Sequence, residues 1–341
     1  MTITSQVLSE VVFFLTIFHN YLCNLTNYIK WRENNMFKRK RSLVAMIFII
    51  SALLLVACVN DTSFEGSNNF AEASEVAEVY LETSENVKII DARGAEAYAK
   101  GHLKNSICIS PNELVVSDPV KATVAPKEQV EEVLGNFGIN KDTMIYIYDD
   151  NGGVYAGRIW WTLKLYGHEN VKVINNGAKA LEQSALEMTT KVPEVTPVDY
   201  TMEPMDEELI VDIETVKAYA EDPSAQENIK LIDVRSIAEY EEGYIPGAIL
   251  YPHTKNYYSD GTFKSPRDTS IFYQDAGIKK DHEIILYCKS SYRATIVAAL
   301  LDEAGYENVK VFDGAWIAWE NESMPTAEVE EEAPITTSDG S

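Results

Sequence analysis

One cysteine stands where it could act as a nucleophile. Cys288 follows the apolar run 284–287 and precedes a helical pattern at 294–301. A thiol on a tight loop between a strand end and a helix start lies among backbone N–H groups at the positive end of the helix dipole. Such surroundings favour the thiolate, which is the nucleophilic form. The position therefore predicts an anion-binding site that uses a thiolate; the alternative is a structural cysteine at a buried strand end.

The residues after the cysteine supply groups that could hold an anionic substrate. They are Lys289, Ser290, Ser291, Tyr292 and Arg293. Arg293, near the helix start, could bind an anion through two hydrogen bonds, unless it pairs with a carboxylate elsewhere. Lys289 could attract the same anion or be an ordinary solvated lysine. The two serines can turn the loop N–H groups inward, although less freely than glycine.

The elements that must position this loop occur twice in the chain. The strand end 89–93, which reads Ile-Ile-Asp-Ala-Arg, is repeated at 231–235, and the segment 167–173 is repeated at 305–311. In each copy, short β-branched runs alternate with helical patterns. This organisation predicts an α/β protein with two tandem domains, each a parallel sheet flanked by helices.

Taken together, these motifs resemble the tandem-domain rhodanese family of thiosulfate and 3-mercaptopyruvate sulfurtransferases. The resemblance covers about residues 75–325 and includes the turn 243–248 and the segment 313–319, in the family's order. It implies that Cys288 takes sulfane sulfur from a small anionic donor as a persulfide and passes it to cyanide or a thiol. It also implies that Ser290 matches a serine of the mercaptopyruvate enzymes. No cofactor is expected, and the sequence contains no metal-ligand spacing.

The resemblance assigns different roles to the two domains. Counting back 138 positions from the shared 307–311 segment places Asp150 opposite Cys288. A carboxylate cannot carry sulfane sulfur, so the first domain should be catalytically silent and should cover one wall of the site. Arg235 should pair with Asp233, and it is also a candidate for contact with the substrate.

Two departures from the family leave the donor open. Many relatives carry an arginine where this chain has Glu239, and the loop lacks the basic residue two places after the cysteine that thiosulfate enzymes favour, having Ser290 instead. A 3-mercaptopyruvate or polysulfide sulfurtransferase is therefore an alternative, as is a non-enzymatic sulfur-carrying lipoprotein. A cysteine phosphatase is not favoured, because its loop needs five residues between Cys and Arg and this loop has four.

Charge and the N-terminus bear on partners and location. The 341 residues carry a formal charge of −24, which argues against binding to nucleic acid or to anionic membrane surfaces. The basic segment 38–41, an apolar run of about 15 residues and Cys58 resemble a lipoprotein signal; that run is short for a membrane span. We expect lipid attachment at Cys58 and an exported protein anchored to the cell membrane. A transmembrane anchor is the alternative.

The sequence thus predicts seven segments. They are a doubtful extension at 1–35, a signal peptide at 36–57, a tether at 58–74, domain 1 at 75–190, a linker at 191–209, domain 2 at 210–325 and an acidic disordered tail at 326–341.

Overall fold

The computed structural model describes residues 64–82, 86–225 and 227–328. These residues form two α/β domains of the same architecture, each built on a five-stranded parallel sheet with helices on both faces. The predicted fold class is confirmed.

Domain 1 is built on a sheet in the order β1-β8-β7-β2-β4. Its strands are β1 (Phe70–Ala71), β2 (Val87–Asp91), β3 (His102–Leu103), β4 (Ile107–Cys108), β5 (Val115–Val116), β6 (Thr123–Val124), β7 (Met144–Tyr148), β8 (Val171–Ile174) and β9 (Met188–Thr189). Its helices are α1 (Ala73–Glu82), α2 (Ala95–Lys100), α3 (Lys127–Asn136), α4 (Val154–Leu165) and α5 (Gly177–Gln183). Two small antiparallel pairs, β3 with β9 and β5 with β6, complete it, together with a 3-10 helix at Pro111–Leu114.

Domain 2 repeats this order as β10-β14-β13-β11-β12. Its strands are β10 (Ile210–Val211), β11 (Ile229–Asp233), β12 (Ile249–Leu250), β13 (Glu283–Tyr287) and β14 (Val309–Phe312). Its helices are α6 (Ile213–Glu221), α7 (Ile237–Glu241), α8 (Pro266–Asp275), α9 (Tyr292–Glu303) and α10 (Ala315–Asn321). Short 3-10 helices lie at Glu207–Leu209, Pro223–Ala225 and His253–Asn256.

The central strands are apolar on both faces, which explains the parallel sheets. In β7 and β13 every residue after the first is buried. A strand covered by helices on both sides reads as a continuous apolar run, because neither of its faces meets water. β7 and β13 are the central strands of their sheets, so the loops that follow them begin in the middle of each sheet.

The two domains pack against each other through α4 and α9. Both helices are buried around most of their circumference, as expected for helices that lie between two sheets rather than on a surface. Gly157 of α4 allows this close approach, since a Cβ there would lie 2.6 Å from Cβ of Ile296 in α9. Each of these helices begins at the loop that follows the central strand of its domain, so the interface brings the two loops together.

Part of the segment predicted to be a tether is packed instead. Phe64 and Phe70 are 2% and 0% exposed, and β1 pairs with β8 at the edge of the first sheet. The side chain of Asn69 donates to Asp302 at 2.6 Å, in the second domain. Burial of the two aromatic rings favours this order over a solvated tether. Cys58 and the predicted signal peptide lie outside the described residues.

The segment between the domains runs along domain 1. Its backbone bonds to that domain at Val198, which donates to Gly135, and at Glu203, which donates to Tyr166. Within the described part of the chain, no helix is both long and apolar enough to cross a bilayer.

Candidate functional site

Cys288 lies at the carboxyl end of the central strand of the second sheet. It directly follows β13, which is flanked by β11 and β14, and its side chain is 1% exposed. The helix α9 begins four residues later, at Tyr292. The strand–loop–helix arrangement predicted around the cysteine is therefore present, with the thiol enclosed rather than open to water.

The loop after Cys288 is fixed by bonds to its neighbours. The carbonyl groups of Cys288 and Lys289 accept hydrogen bonds from the N–H groups of Trp316 and Ile317, at 3.0 and 3.2 Å. The hydroxyl of Ser291 donates to the carbonyl of Phe312 at 3.2 Å, and this serine is fully buried. The turn between β14 and the start of α10 thus sets the position of the cysteine loop.

Ser291 holds a backbone conformation that is unusual for a residue with a side chain. Its φ is +69° and its ψ is −18°, in the left-handed region. Such a conformation costs a non-glycine residue about 1–2 kcal/mol. Strain of this kind persists only where the surroundings enforce it, commonly at functional sites. Here the bond to Phe312 helps to hold Ser291 in place.

The corresponding loop of domain 1 closes around a carboxylate. Asp149 is 2% exposed, and its two oxygens accept hydrogen bonds from four backbone N–H groups. These belong to Asn151 (3.0 Å), Gly153 (2.8 Å), Tyr155 (2.8 Å) and Ala156 (3.0 Å). Burial raises the pKa of Asp149, and the four amide bonds act in the opposite direction. An acceptor surrounded by four donors suits the ionised form, so this loop is a filled anion cradle.

The prediction that Asp150 is the counterpart of Cys288 in domain 1 is wrong, because the sheet register places Asp149 there. Tyr148 pairs with Asp91 in domain 1, and Tyr287 pairs with Asp233 in domain 2. The residue that follows this tyrosine is Asp149 in the first domain and Cys288 in the second. Asp150 is exposed. The count of 138 positions is off by one here because the loop of domain 1 has one residue more before its helix.

Arg293 is paired with the residue that departs from the family pattern. Its two terminal nitrogens donate to the two carboxylate oxygens of Glu239, at 2.7 and 2.8 Å. Burial lowers the pKa of Arg293, but hydrogen bonding to Glu239 and the neighbouring Cys288 outweigh it, so the pKa is raised. The bond to Arg293 lowers the pKa of Glu239 to about 2, against the effect of burial. The guanidinium therefore lies beside the thiol while its outer edge is held by a carboxylate.

Arg235 occupies a buried ion pair. It is 3% exposed, bonds to Asp233 through Nε and a terminal nitrogen, and donates to the carbonyl of Gly243 at 2.7 Å. Its guanidinium lies 4.1 Å from the ring centroid of Trp316. These contacts give Arg235 the ion-pair role expected for it, two residues after the end of β11, the strand that pairs with β13.

The remaining predicted loop residues differ in exposure. Lys289 is exposed and Ser290 is half-buried. The hydroxyl of Tyr292 donates to Oδ1 of Asn112, in domain 1, at 3.0 Å. The loop therefore presents one lysine to solvent and one tyrosine to the other domain.

Domain 1 forms a wall beside the cysteine loop, as the sequence predicts, through residues that only the structure identifies. Asn112 contacts Tyr292, and Arg158 pairs with Asp313 at 2.9 Å, in the turn that leads to α10. The N–H of Val124 also donates to Asp313, at 2.6 Å. No local pattern marked these residues, because each pair is more than 150 positions apart in the chain.

His253 belongs to no motif, and the sequence predicts only an ordinary surface or turn residue there, but the structure places it half-buried. It follows β12, so it lies at the carboxyl ends of the strands, as Cys288 does. Its Nδ1 is buried without a hydrogen-bond partner among the described residues. Burial lowers the pKa of His253, and the charge of Arg293 adds to this. Its position after a strand was the available signal, since the carboxyl ends of parallel strands share one edge.

Comparison with known proteins agrees with this architecture. The family model of the rhodanese-like domain matches residues 75–184 and 210–322. A Haloferax volcanii protein named "Putative thiosulfate sulfurtransferase" is 32% identical over 244 residues, which cover 66% of this chain and 82% of the relative. The Thermus thermophilus "Sulfur carrier protein TtuD" is 31% identical over 242 residues, which cover 63% of this chain and 81% of the relative.

Solved structures share the fold at lower identity. The crystal structure of YnjE superposes with a TM-score of 0.69 at 20% identity, covering 77% of this chain and 69% of that one. The anaerobic ergothioneine biosynthesis enzyme from Chlorobium limicola gives a TM-score of 0.70 at 20% identity, covering 77% and 71%.

Proposed function

Because the chain belongs to the rhodanese family and carries two rhodanese-like domains in tandem, we propose that this sulfurtransferase transfers sulfane sulfur through a persulfide on Cys288. Thiosulfate is the proposed donor, and cyanide or a thiol is the acceptor. The reaction is covalent catalysis with ping-pong order.

The proposed reaction has two steps. The Cys288 thiolate attacks the outer sulfur of thiosulfate, the S–S bond of the donor breaks, and sulfite leaves with the bonding electron pair. Cys288 then carries one more sulfur atom as a persulfide anion. Cyanide attacks that terminal sulfur and departs as thiocyanate, which returns the cysteine to its thiolate.

The observation that carries the proposal is the filled cradle around Asp149. In domain 1 the loop after the central strand directs four N–H groups onto an anion held by its first residue. In domain 2 the first residue of the equivalent loop is Cys288, and the helix that follows has amide groups without intrahelical partners in its first turn. A persulfide anion on Cys288 would meet such donors, which stabilise negative charge in an enclosed site.

Domain 1 has a supporting role in this proposal. Asp149 stands where the nucleophile would be, so the first domain carries no sulfur. Its contribution is the wall beside the loop, through Asn112 and through the bond of Arg158 to Asp313. A water-excluding wall prolongs the life of a reactive persulfide.

Intact-mass measurement tests the persulfide on the full-length protein. After incubation with thiosulfate the mass should rise by one sulfur atom, about 32 Da, and cyanide should remove the gain. Cys288→Ser should show no gain. Cys108→Ser is the matched control, because Cys108 is half-buried in domain 1 and burial raises its pKa to about 11. A gain that persists in Cys288→Ser would refute the assignment of the nucleophile.

A sulfur carrier without rapid turnover is the second candidate. The similarity to the protein named a sulfur carrier favours it, as does the carboxylate that already holds Arg293. The two candidates differ in kinetics. Steady formation of thiocyanate from thiosulfate and cyanide supports the enzyme, whereas a single equivalent of bound sulfur that only a protein thiol removes supports the carrier.

We also propose export and anchoring to the cell membrane through a lipid on Cys58. Its support is the lipoprotein-like signal before this residue. Expression in bacteria with radiolabelled palmitate tests it: label should enter the wild-type protein and be absent from Cys58→Ser. Equal labelling of both proteins would reject the anchor.

A further inference from the structure

Glu239 places a fixed negative charge beside the cysteine pocket. It lies in α7, and its carboxylate also accepts hydrogen bonds from the N–H and the hydroxyl of Ser236, at 3.0 and 2.8 Å. The N–H of Glu239 in turn bonds to the hydroxyl of Ser236, which completes a capping box. With Arg293 on its other side, this carboxylate is held from two directions and has little freedom to turn away.

The ion pair with Glu239 occupies the two terminal nitrogens of Arg293, which would otherwise bind two oxygens of an anionic sulfur donor. Both terminal nitrogens of the guanidinium donate to Glu239. A guanidinium binds a tetrahedral or planar oxyanion most strongly through two parallel N–H bonds. Thiosulfate, a dianion, would have to compete with the carboxylate for this edge and would also meet its negative charge. Side-chain exposures of 20% for Arg293 and 30% for Glu239 leave the pair partly open to solvent.

We propose that Glu239 is a specificity-determining residue, which slows the loading of Cys288 from dianionic thiosulfate and thereby allows organic hydropersulfides to compete as donors. This inference rests on the proposed function of Cys288 and concerns only its donor. An organic hydropersulfide presents one reacting sulfur at lower charge, so it needs no paired oxygen contacts with Arg293. Where the donor also carries an ammonium group, Glu239 attracts it.

The transfer from such a donor balances without a further reactant. The Cys288 thiolate attacks the terminal sulfur of R–S–SH, and a new S–S bond forms at the cysteine. The S–S bond of the donor breaks, and the thiol R–SH leaves, carrying the bonding electron pair and the proton that was on the terminal sulfur. Cys288 retains the persulfide anion, so charge and oxidation state are conserved.

Glu239→Gln tests the role of the charge with little other change. Glutamine can keep the capping box and can still accept a bond from Arg293. Glu241→Gln is the control, because Glu241 is an exposed glutamate of the same helix. The rate of sulfur loading onto Cys288 is measured for each full-length protein with thiosulfate and with cysteine persulfide, which carries an ammonium group, at low and high salt, alongside thermal unfolding.

The ratio of the thiosulfate rate constant to the persulfide rate constant should rise about tenfold in Glu239→Gln, from loss of one nearby charge. The rise should shrink at high salt, since exposed charges are screened, and Glu241→Gln should behave like the wild type. Equal changes with both donors, or the same rise in Glu241→Gln, would overturn the role of Glu239 while leaving Cys288 as nucleophile. No loading by either donor in any protein would instead overturn the proposed function, and this inference with it.

Discussion

The guanidinium of Arg158 in domain 1 bonds to the carboxylate of Asp313 in domain 2 at 2.9 Å, with side-chain exposures of 0% and 4%. Asp313 directly precedes Gly314, which is the N-cap of α10. This helix supplies the N–H groups that donate to the carbonyls of Cys288 and Lys289. A buried ion pair between the domains is therefore linked, within a few residues, to the backbone of the cysteine loop.

Removing one partner of this pair should destabilise the protein and disturb the loop. Arg158→Met leaves the Asp313 carboxylate buried without its cation, at a cost of about 3–5 kcal/mol. Sulfur loading of Cys288 should slow in the same variant. Urea unfolding and intact mass measure the two effects. Arg158→Met combined with Asp313→Asn should regain part of the stability, whereas Lys100→Met, which breaks an exposed pair, should leave the midpoint nearly unchanged.

Asp149 should be essential to the fold of domain 1, in contrast to its neighbour. Asp149→Ala leaves four N–H groups without their acceptor, and we expect a loss of at least about 3 kcal/mol of stability. Added formate should restore part of the loss by occupying the emptied cradle. Asp150→Ala should have little effect, because Asp150 is exposed. Thermal unfolding with and without formate measures these effects, and a larger loss of stability in Asp150→Ala than in Asp149→Ala would contradict the role of Asp149 as the anion of the cradle.

The pair of Glu239 and Arg293 should make stability depend on pH in a defined direction. The pKa of Glu239 is lowered from 4.5 to about 2 in the folded protein, chiefly by Arg293. Its stabilising contribution is thus fully present above about pH 4.5 and is lost as the pH falls toward 2. The difference in unfolding free energy between the wild type and Glu239→Gln should shrink over this range. A difference that stays constant down to the acid limit, or that Glu241→Gln reproduces, would contradict the assignment.

Substitution of Gly157 tests how tightly α4 of domain 1 packs against α9 of domain 2. On helix propensity alone, Gly157→Ala should stabilise α4 by about 1 kcal/mol. The new Cβ would, however, lie 2.6 Å from Cβ of Ile296 and 2.8 Å from its Cα, and the latter contact cannot be relieved by a side-chain rotation. We therefore expect a net loss of about 1–3 kcal/mol, growing with size from alanine to valine. A gain in stability would show that α4 and α9 separate easily; urea unfolding gives the sign.

The sequence by itself determined the duplicated α/β architecture and the location of the nucleophile candidate. Apolar runs, the repeated Asp-x-Arg ends and the change from strand to helix around Cys288 are local signals, and the structure confirms the fold they predict. Strand and helix periods arise from neighbouring residues, so they can be read without knowledge of the tertiary packing.

Only the tertiary structure decided what surrounds Cys288. Glu239 and Arg293 are 54 positions apart, and Arg158 and Asp313 are 155 apart, so no local period links them. The counterpart of the cysteine moved from Asp150 to Asp149 because one extra loop residue changes a count along the chain but leaves the strand register intact. Side chains that meet at one sheet edge do so through strand order and domain packing, which bring together residues that the sequence separates.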